Sequence, residues 1–395
     1  MRFFWLQIAA IPLMAASYNV GELMEHALTN DTSLKADRQA VDQLFYQKEA
    51  ARLWENPELS LSYSRTRPEG IDTKNEYGVT LMQPVEKPSL RSAKQRVLDA
   101  KVLQNKALLL QKENEIKGEV RHKAYLYTIA SIMSEKAEES LSLAKTLRQK
   151  GEKRFEQGAI SKADLLKLQV EEDKTAQDVQ SAQIKREAAK DALAASARLS
   201  SADDIAPVTL PKPVAIDVSD RFSELPMLAY FKAADEEYRA QKEVVTASVI
   251  PGFKAGIGYQ QLFDQKAVSA LFSMPIPILH RNGPMQKNAE SRLSENRFRE
   301  ESYRYDTEQK LLRQQKMASS LSSLIASQER IIAQAGKMVS MSQRSYEEGY
   351  SPLLELIDAR RMLISHQRDL LNNLEMYYDI LGEIQKNFPP LEEKE

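Results

Sequence analysis

No cysteine occurs in the 395 residues. A disulfide framework, a thiolate metal site, a cysteine nucleophile and a lipid anchor on an N-terminal cysteine are therefore excluded. Glycine and proline are scarce, at 13 and 16, so the chain favours long uninterrupted elements, above all helices. An excess of one charge is also missing. With 55 basic against 56 acidic residues, nothing points to a nucleic acid or an anionic membrane surface as partner. There is no phosphate loop, nucleophile elbow or dinucleotide fingerprint. The four histidines, His26, His122, His280 and His366, form neither a helical pair nor a His-Glu-x-x-His pattern, and each reads as a surface or packing residue. The expectation is a protein that is not an enzyme and needs no cofactor or resident metal.

What is present begins with "MRFFWLQIAAIPLMAAS". One basic residue (Arg2), an apolar run from Phe3 to Met14 and a small-residue end at Ala15, Ala16 and Ser17 read as a secretory signal over 1–17. A short buried helix or an anchor is the alternative. After it no apolar stretch reaches the length of a transmembrane helix.

Beyond that segment the chain is written twice. "RFEQGAISKADLLKLQ" (Arg154 to Gln169) is echoed by "SYEEGYSPLLELIDAR" (Ser345 to Arg360). Each has an aromatic (Phe155, Tyr346) and a glutamate (Glu156, Glu347) before a glycine (Gly158, Gly349). Each then has a carboxylate six residues on (Asp164, Glu355) and two aliphatics. The two glycines stand 191 residues apart, and "MQPVEKPSLRSAKQRVLDA" matches "MPIPILHRNGPMQKNAESR" at that same offset, with Pro84 on Pro275. "NPELSLSYSRT" matches "IPGFKAGIGYQ" at an offset of 194, with Pro57 on Pro251. The three-residue change falls in the turn between Tyr63 and Pro84. An offset that is constant over long blocks and shifts only at a loop marks a duplication. The predicted organisation is a first repeat over 18–205, a linker over 206–221, a second repeat over 222–386 and a tail over 387–395.

Each half has the same order: a helical segment (Val20 to Glu55, and Phe222 to Ala247), two short alternating segments, and a very long helix. The long helices run from Leu90 to Gln157 and from Gly283 to Glu348, break at a glycine, and resume over Ser161 to Ser200 and Pro352 to Lys386. Pro352 is expected at the first helical position, where proline is tolerated. A helix of such length spans roughly 100 Å at ~1.5 Å per residue, more than a globular domain needs. In the last helix Leu353, Ile357, Ile364, Leu371, Leu374, Tyr378 and Leu381 follow a three-four spacing. A solvated coiled coil and a ring of helices around a hollow both fit that pattern.

The short segments alternate with period two. Leu59, Leu61 and Tyr63 are separated by serines, and Phe253, Ile257 and Tyr259 by Lys254, Gly256 and Gly258. Tyr77, Val79 and Leu81 follow the same rule, as do Val268, Ala270, Phe272 and Met274. These are strands with one apolar face. The fold class is mainly α with a small β part. The strands either form a soluble sheet capping a helical bundle or meet lipid on their apolar side. Four strands cannot close a barrel, and open edges are not tolerated in hydrocarbon, so in the second case several chains share one barrel.

The chain resembles the TolC-like outer-membrane efflux proteins. The opening "YNVGELMEHALTNDTSLKADRQAVD", the paired strand openings "NPELSLSYSRT" and "IPGFKAGIGYQ", the two strand-to-helix junctions and the two glycine turns carry the resemblance in order over nearly the whole chain. The resemblance implies a homotrimer in the outer membrane of a Gram-negative bacterium. Its chains would share a twelve-stranded β-barrel and an α-helical barrel reaching into the periplasm. It implies a periplasmic adaptor and an inner-membrane pump of the resistance-nodulation-division type as partners, with outer-membrane lipid around the strands. The lipid-facing side chains would be Leu59, Leu61, Tyr63, Phe253, Ile257 and Tyr259. By motif position the adaptor-docking tips fall on Phe155, Gly158, Ile160, Asp164, Tyr346 and Gly349, and the periplasmic gate on Tyr346, Ser351, Glu355 and Asp358. Ser351 stands where a family member has arginine, so the resemblance implies a closed-state lock that is weaker here or lies elsewhere, with Arg360 and Arg361 as the candidates. The "MPIPILHRNGP" junction is similar to that of the heavy-metal cation branch and marks kinship, not metal handling. The alternatives are a periplasmic adaptor, which should show one hairpin between β-rich domains, and a coiled-coil scaffold.

Overall fold

The computed structural model of the protein describes residues 18–66, 74–200, 205–217, 219–262, 265–279 and 281–388. The expected signal over 1–17, His280 and the tail from 389 on lie outside the described residues. The order is α1 (Val20–Asn30), α2 (Thr32–Ala50), β1 (Glu58–Thr66), β2 (Lys74–Glu86), α3 (Pro88–Glu156) and α4 (Lys162–Ser196). A 3-10 turn (Ser219–Glu224) then leads to α5 (Pro226–Ala247), β3 (Gly252–Leu262), β4 (Gln265–Ser273), α6 (Gly283–Glu347) and α7 (Leu353–Gln385). The succession of helix, two strands, long helix and second helix therefore occurs twice.

Compactness does not follow the halves. One unit takes Met1–Thr32, Lys112–Phe222 and Glu308–Glu395, and the other takes Ser33–Gln111 and Ser223–Thr307, so each draws on both halves.

The first unit is all-helical, with an extended strap. Asn19 opens α1 through a capping box: its Oδ1 accepts from the Glu22 N–H and the Glu22 carboxylate accepts from the Asn19 N–H, both at 2.9 Å. The helix ends at Asp31, and the single segment expected from Val20 to Glu55 is broken there. Asp31 is buried against Arg198 at 2.6 Å, and His26 Nδ1 donates to the Ala197 carbonyl at 2.8 Å. Arg198 takes a positive φ of 59° where α4 ends. Its N–H bonds Ala195 O, and Leu199 N–H bonds Ala194 O, which is the Schellman pattern usually given to glycine. One core cluster gathers Leu23, Ala27, Val120, Ala124 and Leu193. A second gathers Tyr125, Ile129, Ile325, Tyr377 and Tyr378. The strap runs between them: the Val208 N–H donates to Thr128 Oγ1, and the Tyr377 hydroxyl both accepts from Val214 N–H and donates to Val214 O. Burial raises the Tyr377 and Tyr378 hydroxyls above their ordinary pKa.

The other unit holds the sheet and the helix segments around it. Inside it Glu237 is buried on α5 and accepts from Gln104 of α3 and Gln241. Asn296 of α6 donates to the Phe231 carbonyl at 3.1 Å. These bonds satisfy polar groups that burial alone would penalise.

Candidate functional site

The sheet is antiparallel in the order β1-β2-β3-β4. Its register sorts side chains by face. Leu61, Val79, Tyr259 and Val268 form one row, and Leu59, Leu81, Ile257 and Ala270 the next. Between them on the opposite face run Ser60, Thr80, Gly258 and Ser269, then Ser62, Gly78, Gln260 and Ala267. One face is therefore apolar and the other small and polar. The apolar face is bare: Leu61 is 73% exposed and Ile257 is 65% exposed, with Leu59, Tyr63, Phe253 and Tyr259 exposed beside them. On the small face a Cβ at Gly78 would collide with Ser62 Oγ and one at Gly256 with the Leu81 carbonyl, so these positions admit glycine alone without a shift. Among the described residues β1 and β4 each have one unpaired edge. The strands have 9 to 13 residues, against the 9–11 that cross a bilayer when tilted. Among the described residues no helix is long and apolar enough to cross a membrane.

The two glycine turns lie in the helical unit. Gly158 has φ +71° and Gly349 φ +81°. In the first turn Gly158 N–H bonds Phe155 O and Ala159 N–H bonds Arg154 O; in the second, Gly349 N–H bonds Tyr346 O and Tyr350 N–H bonds Ser345 O. Both are Schellman caps, for which the left-handed conformation favours glycine. Ser161 caps α4 by accepting from the Asp164 N–H at 3.1 Å, while its hydroxyl donates to the Asp164 carboxylate at 2.8 Å. That hydroxyl, with Lys167, holds the Asp164 carboxyl below the usual carboxylate range. Pro352 is the N-cap of α7, with φ -70° and ψ 153°, and not its first helical residue as expected: at that ψ the chain is still extended.

Side chains tie the two turns together. Arg154 donates to the Tyr346 carbonyl at 3.2 and 3.3 Å and to the Glu347 carbonyl at 3.3 Å, and its guanidinium stacks over the Tyr346 ring at 4.3 Å. It thus adds a cationic donor to the carbonyls at the end of α6. Lys150 pairs with Glu347 at 2.7 Å and lowers that carboxyl's pKa. Beneath them Tyr346 packs with Leu147, Leu168, Leu353, Leu356 and Ile357. Of the expected docking residues, Phe155 is exposed, Ile160 partly so, and Tyr346 is in the core of the tip.

Of the expected gate residues, Glu355 and Asp358 are exposed on the first turns of α7, three residues apart and so on neighbouring positions of the helix surface. The Ser351 hydroxyl is buried with no hydrogen-bond partner among the described residues. Arg361 donates two N–H groups to Glu171 of α4, at 3.2 and 2.6 Å, which raises the guanidinium's pKa. One heptad on, Arg368 faces Asp178 at 3.4 Å. Arg360 donates to Gln343, and burial lowers its pKa. The sequence reading missed Arg154 as a tie between the copies, and missed the Glu171 and Asp178 ladder. The seven-residue spacing shared by 171/178 and 361/368 was the available signal. Among the described residues no group of three or more histidine or acidic side chains is placed to hold a metal ion.

No protein-family model and no curated protein matches the chain. Solved structures do. CusC, whose crystal structures concern conformational changes accompanying folding and transmembrane channel formation, superposes with a TM-score of 0.75 and 19% identity over 93% of this chain and 92% of that one. A membrane protein from Pseudomonas aeruginosa gives 0.77 and 14% over 96% and 95%. The outer membrane protein VceC from Vibrio cholerae gives 0.75 and 16% over 93% and 96%. With end-to-end coverage at such low identity, what is shared is the fold, and the chain has the TolC-like fold of outer-membrane channels.

Proposed function

We propose that this chain is the outer-membrane exit duct of a tripartite export system, acting as a homotrimer that conducts cargo passively. The observation that carries this reading is the sheet: one bare apolar face, one small polar face, and two open edges. In lipid each unpaired backbone group costs several kcal/mol, so a lone four-stranded sheet is unstable there. Three copies close twelve strands and leave no edge, with the apolar rows toward lipid and the serine and glycine rows toward water. The glycine turns are the tips that meet a periplasmic adaptor, and Glu355 and Asp358 ring the narrow end, favouring cations. The junction marks kinship with the heavy-metal cation branch, which makes metal cations, moved by a resistance-nodulation-division pump, one candidate cargo beside drugs, solvents and proteins. Energy comes from the pump, and the duct itself is passive.

Cell fractionation followed by planar-bilayer recording tests this. Trimers should be found in outer membranes and give cation-selective steps. Replacing Glu355 with Gln and Asp358 with Asn should lower the selectivity without closing the pore. A chain recovered only as a soluble periplasmic monomer overturns the reading.

A further inference from the structure

The pairing of β2 with β3 describes a contact that the chain cannot complete alone. β2 is the second strand of the first half and β3 the first strand of the second half, so their pairing joins one copy of the duplication to the next. In a ring of chains, β4 and the β1 of a following chain form the same junction taken the other way round. We propose that a second copy of this chain adds β1 antiparallel to β4 with Met274 opposite Leu61 of the partner subunit, extending β4 past Ser273 to Ile276. The inference rests on the shared-barrel reading above and adds its register.

Register follows by transferring the observed pairs. Gln83 faces Ala255, Val85 faces Phe253 and Leu81 faces Ile257. Moving 191 residues on from the first member and 194 back from the second gives Met274 with Leu61 of the partner subunit, Ile276 with Leu59 of the partner subunit, and Phe272 with Tyr63 of the partner subunit. These three transferred pairs are apolar, each on the apolar face of its own strand; the next pair inward, Ala270 with Arg65 of the partner subunit, is not. A slip of one residue would have turned all of them to the other face. The transfer also accounts for bare side chains past the end of β4. Met274 is 46% and Ile276 72% exposed, whereas their counterparts Gln83 and Val85 lie inside paired β2. Pro275 does not forbid the extension, because its counterpart Pro84 faces Lys254 within β2.

Barrel closure gives a second check. A walk across the strands from Leu59 passes Leu81, Ile257 and Ala270 and, in the proposed register, reaches Arg65 of the partner subunit, six residues from its start. Three chains accumulate a stagger of eighteen residues over twelve strands. At ~3.3 Å per residue and ~4.7 Å between strands this is a tilt of roughly 45°, the value for transmembrane strands. Face matching allows only shifts by two. One step up gives a tilt of roughly 55°, outside the usual range, and one step down roughly 35°, at its lower end. The duplication decides between the remaining two. The neighbouring registers still need a test, because the hairpins differ by one such step. A strict copy of β1·β2 would put Lys254 opposite Leu271, and it faces Ser273.

The absence of cysteine makes that test clean. Full-length chains with Met274→Cys are combined in turn with Leu61→Cys, Leu59→Cys or Tyr63→Cys, and oxidised mildly in isolated outer membranes. Ser273→Cys with Ser62→Cys probes the proposed register at the adjacent pair, which has the other hydrogen-bonding geometry. Directly opposed Cβ atoms approach within disulfide reach and diagonal ones do not, so the 274/61 and 273/62 pairs should give about tenfold more covalent dimer and trimer than 274/59 or 274/63. Single-cysteine versions, which should insert as trimers without linking, control for assembly. Dominant linkage through 274/59 or 274/63 overturns the register and leaves the shared barrel standing. Trimers that link through none of the pairs overturn the β4·β1 pairing. Monomers by light scattering of the solubilised unsubstituted chain overturn the barrel and the register together.

Discussion

At Gly158 the chain leaves α3 and at Gly349 it leaves α6, each time through the same pair of backbone bonds. Beyond that half-turn the two copies part. The first re-enters a helix through Ser161, whose hydroxyl caps α4; the second re-enters through Pro352, which makes no side-chain cap. Arg154 of the first copy holds the carbonyls that end α6, while its aligned partner Ser345 carries no charge to return the contact. Leu356 is fully buried and its aligned partner Leu165 only partly. The difference teaches what a duplication must keep: a backbone turn needs its positive φ in both copies, but the cationic braces between the turns, Arg154 and Lys150, come from one copy alone.

The largest effect expected from this asymmetry is at the aligned leucines. Leu356→Ala should lower the local opening energy of the second turn by about 2–4 kcal/mol, as for other deeply buried leucines, and Leu165→Ala by less than half of that. Amide exchange along α7 and α4 measures both, and equal losses would break the comparison. Next come the glycines, where the copies should behave alike. A Cβ meets nothing within 4 Å at either one, so Gly158→Ala and Gly349→Ala should each cost about 1–2 kcal/mol through backbone conformation alone. At the following caps they should differ again: Ser161→Ala should cost about 1 kcal/mol, and Pro352→Ala should stay within about 0.5 kcal/mol.

The smallest effect is on pH. The Asp164 and Glu347 carboxyls are both held below their ordinary values, by Ser161 and Lys150 first. A depressed carboxyl supports the fold above its unfolded pKa and loses that support as pH falls through its folded one. The opening free energy at both turns, from exchange corrected for its intrinsic dependence on pH, should therefore be flat between about pH 5 and 8 and fall only below about pH 4. A change near neutrality would point to another group.

Much of this architecture was legible because it is written in backbone constraints. Gly158 and Gly349 announced the two reversals and the period-two rows the strands, while the break between α1 and α2 at Asp31 was not read from the helical pattern. Side-chain contacts between distant segments were not legible. The heptad reading of α7 included Ile364 and Leu374, which are only partly buried, and omitted Leu356 and Tyr377, which are buried. Spacing gives a helix's faces but not which neighbour covers them, and Tyr377 is covered by the strap. Tyr346 reads as a tip residue from its motif, and only the packing shows that the tip has a core of its own. Glu355 and Asp358 sit where the spacing put them, on the exposed first turns of α7, and the ring proposed from them depends on other copies of the chain.

The small face of the sheet has a consequence for permeation. Its two middle rows, Ser60, Thr80, Gly258 and Ser269, then Ser62, Gly78, Gln260 and Ala267, carry no formal charge. A solute passing along them in the proposed barrel meets hydroxyls, one amide and bare backbone, with nothing to enrich one sign of ion over the other. Partition there is governed by girth and hydration, so any sorting by valence falls to other positions, such as Glu58, Glu76 and Lys254 toward the ends of the same face.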